Sequence, residues 1–123
     1  ELLKRSNTVC VFDHHRQTNE VIENPVLSYV EPYASSACEM IAEVLQYFSE
    51  NIRLAPSEAD CIYAGILIDT NNFMSKTGVR TFEAAAYLRR QGRHEYLVRR
   101  RILSYNRRKS LFLWPVHSEL QDQ

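Results

Sequence analysis

The sequence has no net charge: 15 lysines and arginines balance 15 aspartates and glutamates over 123 residues, so no global field recruits a polyanion. It lacks an apolar run of about 18 residues and a signal-peptide layout, which excludes a membrane-spanning helix or self-directed export for this segment. The three cysteines, Cys10, Cys38 and Cys61, show no CxxC spacing and each lies in an apolar stretch. That usage predicts buried thiols in a reducing cytosol rather than zinc ligands or a disulfide. The expected location is cytoplasmic, at the cytoplasmic face of a membrane should a longer parent carry an anchor outside this chain. Internal repeats and low-complexity tracts are lacking too. So is an initiating methionine, and Glu1-Leu2-Leu3-Lys4 reads as a helix entered partway, so the expectation is a fragment. What is present is an apolar share of 45%, ordinary for a globular domain, and a length that supports one modest core.

Thr8 to Phe12 is a continuous apolar, β-branched run that predicts a strand covered on both faces. Val26 to Val30 predicts a second strand, and the loop between them, about a dozen residues, leaves strand direction open. Ser36 followed by Glu39 is a capping-box pattern. Ala37, Met40, Ile41, Val44, Leu45 and Phe48 then mark one apolar stripe of a helix to about Ser49. Pro56 to Glu58 opens a second helix, almost wholly apolar from Cys61 to Ile68 and so expected to be buried all round. Thr81 is expected to cap a third helix that runs from Phe82 to about Arg90 and closes at Gly92. A fourth, basic helix is expected over His94 to Leu103. The cationic stretch from Arg89 to Lys109 predicts a solvated face or a domain contact, and Leu111 to Pro115 has no evident partner.

Two places carry chemistry. Asp13-His14-His15 ends the first strand, where open α/β sheets place ligands, and imidazole suits manganese, iron or zinc. On an extended chain the two imidazoles would point apart, so one would ligate and the other would meet substrate. Asp69 closes the second helix, where the macrodipole disfavours a carboxylate unless a cation is near. Arg16 follows the histidines, and Lys76, Thr77 and Arg80 lead into the third helix, whose free N–H groups are a potential anion site. The residues alone leave a solvated basic loop open at each of these places.

Taken in order, four segments resemble the DHH phosphoesterases, and within them the cyclic-di-AMP phosphodiesterases of the GdpP type. They are Val11-Phe12-Asp13-His14-His15-Arg16, Asn24-Pro25 through Glu31-Pro32-Tyr33-Ala34-Ser35-Ser36, Gly65-Ile66-Leu67-Ile68-Asp69-Thr70, and Arg80 to Arg89. The resemblance spans roughly residues 1–92. It implies an α/β fold with a partial parallel sheet, two strands of it in this chain, flanked by about four helices. Residues 1–103 would be the C-terminal part of a DHH domain and 104–123 a divergent or poorly ordered tail. It further implies a hydrolase that uses two Mn²⁺ ions, with His14 and Asp69 as metal ligands and His15 on a substrate phosphate. Asp13 would orient the histidine pair, and Arg16 and Arg80 would be phosphate contacts. The implied partners are a cyclic dinucleotide or short oligonucleotide, and the N-terminal half and second lobe of a longer parent. The remaining metal ligands of the family would precede Glu1, so this chain alone is expected to be nearly inactive. A half-core of this kind also predicts a homodimer. The rival readings are a DHH-type oligoribonuclease or pyrophosphatase, and a non-catalytic nucleotide-binding or assembly module.

Overall fold

The structure, a computed structural model, describes residues 2–16, 21–92, 97–104 and 107. Leu2–Arg5 makes one turn of 3-10 helix ahead of β1 (Cys10–Asp13), which pairs in parallel with β2 (Leu27–Val30). Cys10 lies opposite Leu27 and Asp13 opposite Val30. The Val26 N–H donates to the Val9 carbonyl at 2.8 Å and the Glu31 N–H to the Asp13 carbonyl at 2.9 Å, carrying the ladder past both ends. Phe12 and Tyr29, opposite each other in this register, meet edge to face with centroids 6.1 Å apart. Parallel pairing brings the carboxyl ends of both strands to one edge, and the chain leaves that edge at His14 and at Glu31.

Three helices follow, α1 (Ala37–Phe48), α2 (Pro56–Asp69) and α3 (Val79–Gln91), and residues 97–104 form a fourth, α4. Ser36 caps α1, its Oγ accepting from the Glu39 N–H at 3.0 Å. Glu58 reaches back to the Ala55 N–H at 2.8 Å, with Pro56 preset for the first turn of α2. The core lies among the helices: Ala42 of α1, Ala59, Tyr63, Ile66 and Leu67 of α2, Ala84, Ala85 and Leu88 of α3, and Val98 and Ile102 of α4. Alanines let the helix axes approach, while each fully buried Ile or Leu contributes about 1.5 to 3 kcal/mol by leaving water. At Gly65 a Cβ would collide with the Cys38 Sγ and stand 3.2 Å from its Cβ, so α1 and α2 cross there without room for a side chain.

The α/β architecture and the parallel pair are as the resemblance implies, but several local expectations are corrected. β1 is not covered on both faces: Cys10 is exposed and Val11, Phe12 and Asp13 are half-buried, with α1 the main helix packed on it among the described residues. Nor are the thiols buried, since Cys61 is also exposed and Cys38 only half-buried. α2 is not enclosed all round either; Cys61 and Ile68 face outward while Tyr63, Ile66 and Leu67 point into the core. Phe48, assigned to the stripe of α1, is exposed at the end of that helix. Thr81 does not precede α3 but lies inside its first turn, capping from within: its Oγ1 accepts from the Gly78 N–H at 3.1 Å. Gly92 does close α3, with φ −79 rather than a left-handed φ. A Cβ there would stand 2.5 Å from Asp60 Oδ1, so that carboxylate would have to shift to admit one. His94, where the fourth helix was expected to start, and the segment Leu111 to Pro115 lie outside the described residues.

Candidate active site

The carboxyl edge of the sheet opens into a cleft of about 680 Å³, lined by His14, His15 and Arg16 after β1, Pro32, Tyr33 and Ala34 after β2, and Lys76 and Thr77 before α3. Asp13, the last residue of β1, turns the chain by accepting from the His15 N–H at 3.0 Å and from the His15 Nδ1 at 2.7 Å. The second contact puts the proton on Nδ1 and leaves Nε2 as an acceptor. The backbone N–H, then the His15 ring, hold the Asp13 carboxyl below the usual carboxylate range. That local turn overrides strand alternation. The two imidazoles, expected to point apart, instead lie side by side with centroids 4.3 Å apart and planes tilted by 47°. Asp13 therefore orients His15 directly and His14 only through the chain.

His14 is the better buried of the two, 14% exposed at the side chain, and its Nε2 lies 3.5 Å from Oδ2 of Asp69. The two residues come from the end of β1 and the end of α2. Asp69 stays at the negative end of its helix because the chain is locked just behind it. Thr70, fully buried, donates to the Ile66 carbonyl at 2.7 Å and accepts from the Phe73 N–H at 3.0 Å. Asn71, Asn72 and Phe73 then run in succession at φ 48, 58 and 66, left-handed geometry that costs about 1 to 2 kcal/mol per residue with a Cβ. Phe73 is held there by stacking on Phe82 at 5.4 Å and by Tyr63 at 6.2 Å. The turn returns the chain to the cleft at Lys76.

A nitrogen and a carboxylate oxygen at this separation are compatible with two neighbouring positions around one divalent ion, a His and Asp donor set that suits manganese among others. Among the described residues no third His, Cys, Asp or Glu joins them to complete a cluster. Burial first, and the charge of Asp69 second, push the Cys38 thiol pKa up.

Arg16 lines the cleft beside His15. Arg80 is placed elsewhere: its Nε and Nη2 donate to Glu43 at 3.0 and 2.8 Å and its Nη2 to the Tyr29 hydroxyl at 3.3 Å. Those bonds tie α3 to α1 and β2. Lys76 and Thr77, read from the sequence only as general phosphate-binding capacity, do reach the cleft. Pro32, Tyr33 and Ala34 were not anticipated as cleft residues. The signal for them was the end of β2, since a parallel partner delivers its carboxyl end to the same crevice.

A two-stranded parallel edge bearing histidines, with an aspartate brought in from a helix end, defines an α/β protein with a candidate metal-assisted site. Residues 1–66 match the DHH family, N-terminal domain, and the chain belongs to that family. Over 99 residues, 80% of this chain, it is 48% identical to the cyclic-di-AMP phosphodiesterase GdpP of Geobacillus thermodenitrificans. It is 46% identical over 98 residues to the cyclic-di-AMP phosphodiesterase PdeA of Listeria monocytogenes. A membrane protein-large ribosomal subunit bL9 fusion protein of Onion yellows phytoplasma is 46% identical over 92 residues. The chain spans 15% of the length of the first two relatives and 11% of the third.

Proposed function

We propose that this chain supplies one side of a metal-dependent phosphodiesterase site that hydrolyses cyclic-di-AMP or short linear oligonucleotides, working within a longer polypeptide. The observation that carries the reading is the approach of His14 Nε2, from the cleft lining, to Asp69 Oδ2, alongside identity to two relatives whose names specify that substrate. His14 and Asp69 would hold a divalent ion, manganese in our reading, as part of a two-ion centre. When bound, such ions supply a water of lowered pKa and neutralise the leaving oxygen. His15, with its Nδ1 held by Asp13, presents Nε2 to a phosphate oxygen, and becomes a donor there when protonated. Arg16 and Lys76, both in the cleft lining, neutralise phosphate charge. Two side chains cannot hold a pair of ions, so further ligands must come from chain beyond the described residues, and this chain alone should be nearly inactive. The location that goes with this reading is cytoplasmic, at the inner face of a membrane if the longer polypeptide is anchored there.

The test compares two proteins. This chain with Mn²⁺ and cyclic-di-AMP should form product no faster than a protein-free control, and robust turnover would overturn the incomplete site. A longer polypeptide that carries this chain with the remaining ligands should hydrolyse the substrate in a Mn²⁺-dependent manner, and lose at least about 100-fold in kcat/KM with His14→Ala or Asp69→Asn. Unchanged turnover in either variant removes its residue from the metal shell. Comparison of linear pApA, cyclic-di-AMP and pyrophosphate separates the diesterase from a pyrophosphatase, and binding without hydrolysis identifies an assembly module.

A further inference from the structure

One buried charge has no part in the candidate metal site. Glu39, in the first turn of α1, is 2% exposed, and its Oε2 accepts from the Ser35 N–H at 3.2 Å, from the Ser35 hydroxyl, and from the Thr81 hydroxyl at 2.6 Å. Thr81 in turn accepts from the Gly78 N–H. Ser35 and Thr81 are as deeply buried as Glu39, at 1% each. All these donors are neutral. The carboxylate is offset instead by the positive ends of two helices, since it lies in the first turn of α1 and meets a residue in the first turn of α3. An apolar residue of similar volume would avoid the desolvation cost of a buried carboxylate, so the group makes sense where geometry rather than stability is being specified.

The geometry in question is that of the cleft. Ser35 directly follows Pro32, Tyr33 and Ala34 in one segment of the cleft lining, and Gly78 directly follows Lys76 and Thr77 in another, and these two segments are its two walls here. A single oxygen therefore receives hydrogen bonds from the root of one wall and from the residue that fixes the root of the other. We propose that Glu39 and Thr81 are positioning residues that set the separation of the two walls, and with it the fit of a phosphodiester among Arg16, Tyr33 and Lys76. The functional half of this inference rests on the reading of the cleft as a phosphodiester site.

The experiment reads the walls and the ligand separately. With Cys10, Cys38 and Cys61 replaced, spin labels at Tyr33→Cys and Lys76→Cys report the wall separation by electron paramagnetic resonance. One narrow distance is expected in the parent and in Thr81→Ser, which keeps the hydroxyl, and a clearly broadened or displaced one in Thr81→Val, which keeps the shape and loses it. A Thr81→Val distance as narrow as the parent's overturns the proposal. Should Thr81→Val not fold, Ser35→Ala removes the hydroxyl donor from the other wall, leaving the Ser35 N–H in place, and is read the same way. In unlabelled protein with Mn²⁺, affinity for linear pApA should fall about tenfold in Thr81→Val and stay within about twofold in Thr81→Ser. The core variant Ala84→Gly, destabilised without touching the clamp, should bind like the parent once the folded fraction is counted. Altered walls with unchanged pApA affinity overturn the substrate role. A parent that binds no pApA while its walls respond as expected leaves the clamp standing and removes the phosphodiester reading.

Discussion

His14 and His15 illustrate how far one residue can redirect its neighbours. Strand alternation would send the two imidazoles to opposite faces, but Asp13 takes both the His15 N–H and its ring nitrogen, and the chain turns before alternation applies. The sequence therefore contained the cause, an aspartate two residues ahead of a histidine, without displaying its effect. The partner of Glu39 is less legible still. Thr81 lies 42 residues away, and no local pattern links them. Cys38 offers a test of the surroundings of Asp69. Because burial and then the Asp69 charge raise its thiol pKa, less of it is thiolate at any pH below that value. At pH 8 iodoacetamide should modify Cys38 more slowly than the exposed Cys10 and Cys61, and Asp69→Asn should speed it, as read by peptide mass spectrometry. Equal labelling of all three cysteines, or no change with Asp69→Asn, would contradict that placement.

Among the elements, those with a strong local signature were readable: two short apolar runs became β1 and β2, and serine and proline signals placed α1 and α2 within a residue or two. Coverage was not readable. An almost unbroken apolar stretch in α2 suggested burial on every side, yet hydrophobicity records what a residue tolerates and not what lies against it, so Ile68 remains half-exposed. The crossing of α1 over α2 is similarly a tertiary fact, set by Gly65 against Cys38. Although alanine is the better helix former, Gly65→Ala should destabilise the chain by about 1 to 3 kcal/mol through overpacking. Urea denaturation should show a lower midpoint with an unchanged slope, and Cys38→Ala in the same background should recover part of the loss by removing the sulfur. A Gly65→Ala midpoint at or above the parent's would mean that the helices separate freely there.

At the scale of the whole molecule, several large apolar side chains are exposed. Met74, Val79 and Phe82 are 80%, 76% and 57% exposed around the start of α3, and Leu27 opens the edge of β2. Taken alone, the chain should therefore self-associate through these faces, and multi-angle light scattering that found only monomer across a range of concentrations would refute it. Among the described residues the buried core cluster lies in the helices, with no strand residue in it. Its consequence concerns order in time. Asp69 is anchored in the mass of the molecule, whereas the histidines ride on a thin ribbon, so the two halves of the centre belong to layers of unequal permanence. Amide hydrogen exchange should separate them, with the middle of α2 protected longest and β1 and β2 released well before it. On warming, the centre would then come apart along that seam while the helices still held, and on cooling it would be the last thing to assemble.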